Sequence, residues 1–180
     1  MITLKPQDVA ILLKILLKRE PWTIAALAAE LRMSASEVHA GLQRSTEARL
    51  YSSDSRKVRI DSFEEFVFHG LPFVFIATKG PITRGMPTSF AARPLSEHFD
   101  ESEFPPVWPD PLGNKRGYEI SPLYKRATEA AKADPKFYEL LALLDAIRED
   151  GPRVRKVARD ELRLRFDQYR KKIQLPQELK

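Results

Sequence analysis

The stretch "TIAALAAELRMSASEVHAGLQRSTEARL", Thr23 to Leu50, leaves the chain few ways to fold. Thr23 offers a hydroxyl N-cap, and Ile24, Leu27, Ala28 and Leu31 recur at helical spacing behind it. A short turn follows. Ser34 and Glu37 then stand in the S-x-x-E relation of a capping box, so a new helix starts at once. Val38 and Leu42 face inward along it, and Leu50 follows its end. A helix, a tight turn and a sharply capped second helix is the order of a helix-turn-helix.

The flanks extend this reading. Residues 6–19 place Val9, Leu12, Leu13, Leu16 and Leu17 on one stripe, with Pro6 suited to a first turn and Pro21 closing the segment. Lys14 and Lys18 interrupt the apolar run and no small-residue cleavage site follows, so the segment reads as an amphipathic helix of a cytosolic protein rather than a signal peptide. After Leu50, two extended runs, Leu50–Ser52 and Lys57–Asp61, flank a polar Ser/Asp turn and predict a β-hairpin, or wing.

This order has a direct chemical use. A helix fits the major groove, and residues near its N-terminal end reach base edges. The candidates are Ser34, Ser36, His39, Ala40, Gln43 and Arg44. Gln43 can pair bidentately with adenine and Arg44 with guanine. Arg56, Lys57 and Arg59, on or beside the wing, can neutralise phosphates or enter the minor groove.

These residues carry a resemblance. "LAAELRMSASEVHAGLQRSTEARLY" resembles the winged helix-turn-helix of bacterial MarR-like regulators, over roughly residues 5–61. The resemblance implies a DNA-binding regulator. Arg49 departs from the pattern, standing where such sequences often carry a glycine in a left-handed conformation. A different ending of the helix is expected there.

Ser62 and Glu65 form another S-x-x-E pair, so a short aromatic helix with Phe63, Phe66 and Val67 is expected, capped at Gly70 and stopped by Pro72. "FVFIAT" predicts a strand from its β-branched and aromatic residues, "TSFAA" its partner, and "KGPITRGMP" the loop between them. Gly80 and Gly85 have the spacing of a phosphate-binding loop, but no lysine follows, and Pro81 and Pro87 remove backbone N–H groups such a loop uses. The stretch therefore reads as scaffolding, with Arg84 its one candidate for a contact. Residues 96–122 hold many prolines and an acidic run, and predict a long loop pinned by Phe104, Trp108 and Tyr118.

Three C-terminal helices are expected within residues 123–180. The second places Phe137, Leu140, Leu141, Leu144 and Ile147 inward. The third carries an apolar stripe of Val154, Ala158, Leu162, Phe166, Tyr169 and Ile173. Its other face bears Arg153, Arg155, Lys156, Arg159, Arg163, Arg170 and Lys171, a surface for a DNA backbone or an acidic partner. "GPITRGMPTSFAARPL" and "LLALLDAIREDGPRVRKVARDELRLRF" resemble parts of the antitoxin-regulators of abortive-infection (AbiE-type) toxin-antitoxin systems. That resemblance implies a nucleotidyltransferase-type toxin as a partner, bound through residues 62–180.

Composition narrows the function classes. There is no cysteine, so disulfides and thiolate zinc sites are excluded. His39, His69 and His98 are too far apart in sequence for a histidine metal pair, and no metal or cofactor is expected. Thr83, Thr88 and Ser89 have no assignable His/Asp partners, and no acid/base set clusters, so an enzyme is not expected. Net charge is +5 overall, distributed as +3 over residues 1–61, −3 over 62–122 and +5 over 123–180. A polyanion partner thus suits either end. No apolar run approaches the roughly 20 residues of a membrane span.

The expected fold is α+β, in four parts: a winged helix-turn-helix over 1–61, a helix plus β-hairpin over 62–95, the Pro-rich loop over 96–122, and helices over 123–180. The expected function is a sequence-specific DNA-binding regulator, an autorepressor in the cytoplasm. The alternative is an antitoxin that binds its toxin directly, and the two roles are compatible. Double-stranded DNA is the expected ligand. One recognition helix contacts few base pairs, so a homodimer is expected, paired through Leu162, Phe166 and Tyr169.

Overall fold

The computed structural model describes residues 3–19, 21–149 and 151–174, with side chains as far as Lys172. The protein is α+β, with eight α-helices and two small sheets among the described residues. None of these helices is long and apolar enough to cross a membrane.

Three helices open the chain: α1 (Pro6–Leu17), α2 (Ile24–Leu31) and α3 (Ala35–Glu47). The local signals act as read. Thr23 Oγ1 accepts the Ala26 N–H at 3.1 Å, and Ser34 and Glu37 form the reciprocal capping box. Helix α1, however, is buried from Asp8 to Leu16 and not along one stripe. It lies between α2 and α3 on one side and a C-terminal helix on the other, so even Lys14 is enclosed, paired with Asp134 at 2.7 Å and Glu30 at 3.0 Å.

The end of α3 differs from expectation. Arg49 does adopt the left-handed conformation, at φ 61°, and the helix closes as a Schellman motif. The Leu50 N–H reaches the Ser45 carbonyl at 2.9 Å, and the Arg49 N–H reaches that of Thr46 at 3.0 Å. Arg32, after α2, and Arg56 are also left-handed, at φ 58° and 54°. The antiparallel pair β1 (Tyr51–Ser52) and β2 (Lys57–Val58) follows α3, with Tyr51 opposite Val58. Helix α4 (Ile60–His69) starts without a side-chain cap and earlier than the Ser62–Glu65 signal, so it crosses the expected boundary at residue 61. Gly70 ends it, and Pro72 sits in the first turn of α5 (Leu71–Val74).

The middle region inverts the expectation. "FVFIAT" is not a strand: its first residues end α5, and Phe73, Val74 and Ile76 are exposed. "KGPITRGMP", expected as a loop, is strand β3 (Lys79–Pro87), and "TSFAA" forms a 3₁₀ turn at Ser89–Ala91. The Pro-rich segment supplies β4 (Pro106–Pro109) and β5 (Lys115–Ile120). The three strands close on themselves: β3 pairs antiparallel with both others, and β4 runs parallel to β5. So tight a closure needs glycine. A Cβ on Gly85 would stand 2.0 Å from the Trp108 carbonyl oxygen, and one on Gly117 1.7 Å from that of Pro105. Pro81 falls in the register shift between Lys79 and Ile82, where a ladder N–H is dispensable.

The last three helices are α6 (Ala127–Ala133), α7 (Pro135–Arg148) and α8 (Pro152–Gln174). Helix α7 is the axis of the core, touching α1, α4, α5, α6 and α8. The barrel is fixed to it by a buried polar cluster. Asp145 accepts from Thr88 Oγ1 at 2.7 Å, Trp108 Nε1 at 2.6 Å and Arg148 at 2.6 Å. Tyr118 donates to Glu149 at 2.7 Å, and Tyr138 to the Pro87 carbonyl at 2.5 Å.

The stripe on α8 does not wait for a second subunit. Leu162, Phe166 and Tyr169 are buried in the chain's own core, and Phe166 packs edge-on against Phe63 and Phe68 of α4. Ile173 lies outside the residues whose side chains are described. A dimer contact through this stripe is therefore corrected: burying the same apolar surface at home leaves nothing there to pair.

Candidate nucleic-acid interface

Helix α3 is seated on α1 by three devices. Val38 and Leu42 bury their side chains. Gly41 permits close approach, since a Cβ there would meet Ile11 Cδ1 at 2.5 Å and Asp8 Oδ1 at 2.9 Å. Arg44 clasps Asp8 with two hydrogen bonds, Nε to Oδ2 at 2.7 Å and a terminal nitrogen to Oδ1 at 2.6 Å. Asp8 is fully buried, and its Oδ2 also accepts the Lys5 N–H at 2.8 Å.

This seating decides which residues face outward. Ser36, His39 and Gln43 are exposed and Ala40 is half-buried, one turn apart along the free face of α3. Arg44 is not among them. Its side chain is only 12% exposed and the edge formed by Nε and one terminal nitrogen is taken by Asp8, so the expected guanine contact is corrected to a structural clasp. Ser34 is exposed but engaged in the cap, where its N–H donates to Glu37 at 2.8 Å. That bond holds the Glu37 carboxyl below its ordinary range.

The hairpin lies beside this face. Arg56 stacks its guanidinium 4.3 Å from the Trp22 ring centre and donates to the Trp22 carbonyl at 2.8 Å. It thereby fastens the hairpin turn to the residue preceding the N-cap of α2, a structural role alongside its exposure. Between α3 and the hairpin runs a cleft of about 220 Å³, lined by Trp22, His39, Gln43, Tyr51 and Arg56 among others. Lys57 and Arg59 are exposed on the second strand and just after it.

The distribution of free cations separates the two ends of the chain. Arg32, Arg49, Lys57 and Arg59 are exposed and have no carboxylate within 4.0 Å among the described residues. The arginines of α8 are mostly spent inside the fold. Arg155 caps α7 through the Ile147 and Glu149 carbonyls, at 3.1 and 2.6 Å, and Arg159 caps α4 through that of Phe68 at 2.6 Å. Arg170 joins Asp61 at 2.8 Å and also Glu64, and Arg165 joins Glu161 at 2.7 Å. Arg153 lies over Phe99, Arg163 lies over Phe68, and Lys156 meets Asp160 at 3.4 Å. Reading this helix as a basic docking face is corrected accordingly. Charge counts alone could not distinguish the two ends, because a paired and an unpaired arginine look the same in sequence.

Sequence reasoning did not single out Arg32 as an exposed cation; it follows α2 directly and lines a separate pocket with Lys14, Glu30, Ala130 and Asp134. Comparison with family models, curated proteins and solved structures returned no match.

Proposed function

We propose that the chain is a sequence-specific DNA-binding transcriptional regulator, acting as a repressor of its own operon, with a winged helix-turn-helix in its first sixty or so residues. One observation carries the reading. An uncharged polar helix face of Ser36, His39, Ala40 and Gln43 lies beside the hairpin, whose Lys57 and Arg59 are exposed with no carboxylate within 4.0 Å among the described residues. Groove recognition calls for this combination: hydrogen-bonding side chains for base edges, and cations beside them for phosphates. His39 and Gln43 also border the cleft toward the hairpin, so the helix and the wing present one continuous surface. Gel shifts with the chain's own upstream region and with random DNA of equal length test the reading. Specific retention of the upstream fragment is expected, and equal affinity for both would refute it.

A second reading rests on a different surface. Phe73, Val74 and Ile76 are exposed together at 71%, 58% and 62%. Such an apolar run on a surface suits protein contact. It favours an antitoxin that binds a nucleotidyltransferase-type toxin directly. Co-purification with the product of the adjacent gene tests it, and loss of the complex in Phe73→Ser with DNA binding intact is the expected result.

A further inference from the structure

A cleft of about 210 Å³ opens between the start of α8 and the segment that follows β3. Its apolar floor is Phe90, Phe99 and Val154, each half-buried against the core. The two rings stand 6.2 Å apart between centroids and tilt by 59°. The rest of the lining is Arg153, Asp100 and His98. None of these six residues belongs to α3 or the hairpin, so the cleft is separate from the one beside His39 and Gln43.

Arg153 and Asp100 line the same cleft and do not pair. Both are exposed, and among the described residues Arg153 has no carboxylate and Asp100 no cation within 4.0 Å. Arg153 lays its guanidinium on the Phe99 ring instead, 5.4 Å from the centroid. Stacking uses a face of the guanidinium and leaves the N–H donors in its plane free for a ligand. His98 is held toward α8, with its Nε2 3.5 Å from Glu161. Two opposite charges over an apolar floor, neither with a partner, suit a molecule that carries both signs beside an apolar group.

We infer that this cleft binds a free α-amino acid with an aromatic or branched apolar side chain. The α-carboxylate meets Arg153 as a charge-assisted pair, the α-ammonium meets Asp100, and the side chain lies on Phe90, Phe99 and Val154. A cavity of roughly 150 Å³ holds benzene, so about 210 Å³ admits one ring or one branched chain with its charged carbon. A simple carboxylate satisfies Arg153 alone and brings its charge against Asp100, and a simple amine has the converse defect. Peptide ends fail for the same reason, since an N-terminal residue lacks the free carboxylate and a C-terminal residue the ammonium. Binding of the amino acid is independent of α3 and of the DNA reading.

Proton NMR titration of the full chain tests it. The chain has three histidines, and only His98 lines this cleft, so its imidazole signals, assigned with His98→Gln, report the site. At fixed pH, L-phenylalanine and L-leucine should shift those signals saturably and leave His39 and His69 unmoved. A Kd on the order of 1 mM or below is expected for a ligand of about ten heavy atoms. N-acetyl-L-phenylalanine, L-phenylalaninamide and L-alanine lack the ammonium, the carboxylate and the apolar group in turn, and each should bind at least about tenfold more weakly. Arg153→Gln and Asp100→Asn, both at exposed positions and checked for folding by circular dichroism, should each weaken L-phenylalanine about tenfold or more. No saturable shift of His98 with either amino acid up to about 20 mM overturns the inference. So does equal binding of the acetylated or amidated compound, or unchanged affinity in either folded variant.

Discussion

Arg44 grips Asp8 with one edge of its guanidinium, Nε and a terminal nitrogen, at 2.7 and 2.6 Å, and so ties the exposed helix α3 to the most deeply buried helix of the N-terminal region. The carboxylate is fully buried and the guanidinium nearly so. Removing one partner strands the other charge away from water. Arg44→Ala is therefore expected to cost about 3–5 kcal/mol of folding stability, read by chemical denaturation. Asp8→Leu/Arg44→Met should cost far less, since neither charge remains. If Arg44→Ala folds as stably as wild type and loses only DNA discrimination, the clasp is not the role of this residue.

The free face of α3 predicts a different pattern. Gln43→Ala and His39→Ala should each weaken binding to the specific site by roughly 1–3 kcal/mol and leave random DNA nearly unaffected. Lys57→Ala and Arg59→Ala should weaken both DNAs alike. Each should also flatten the salt dependence by about 0.9 in log–log slope, because one counterion fewer is released. An unchanged slope in both lysine and arginine variants would remove the hairpin from the interface.

Arg49 holds a left-handed conformation at φ 61° at the end of α3. A side chain with a Cβ pays about 1 kcal/mol or more for that conformation, and glycine does not. Arg49→Gly should accordingly stabilise the fold by a few tenths to about 1 kcal/mol, the gain being limited by the greater freedom of glycine in the unfolded chain. It should also weaken nonspecific DNA binding. Thermal melts beside salt titrations check both. A destabilised Arg49→Gly would mean that the side chain contributes more to the fold than its exposure suggests.

Glu149 predicts a pH effect. Burial pushes its carboxyl above the ordinary range, and the nearby charge of Asp145 adds to this. Among the described residues its Oε2 is buried without a hydrogen-bond partner, while Oε1 accepts from Tyr118. The folded state thus holds this proton more tightly than the unfolded state does. Its contribution to stability is present below the unfolded value near 4.5 and is lost as pH rises through the higher folded value. Glu149→Gln, which keeps the acceptor for Tyr118 without the charge, should gain stability relative to wild type as pH rises from about 4 to 8. Denaturation midpoints at several pH values measure this, and a gain confined to acid pH would contradict the assignment.

Local chemistry determined much of the helical plan. The Thr23 cap, the Ser34–Glu37 capping box and the N-terminal prolines of α1 and α7 act within one turn, so their outcome can be read from neighbouring residues. The inward residues of α7, from Phe137 to Ile147, followed from spacing alone. The hairpin after α3 was legible for the same reason, as two extended runs around a polar turn.

What only the tertiary structure decided were partnerships between distant residues. Gly and Pro made Lys79–Pro87 read as a loop, yet Gly85 is there because the backbone of Trp108, distant in sequence, approaches too closely for any Cβ. The β-branched run after Pro72 read as a strand, but a strand needs a neighbour, and β3 is fully engaged on both sides by β4 and β5. Arg44 looked like a base reader until Asp8 took it, and the arginines of α8 looked free until helix ends and carboxylates from α4 and α7 took them. Hydrophobic period and capping are set by residues within a turn. Pairing of strands and charges is set by which distant segments the core brings together, and no local window of sequence contains that information.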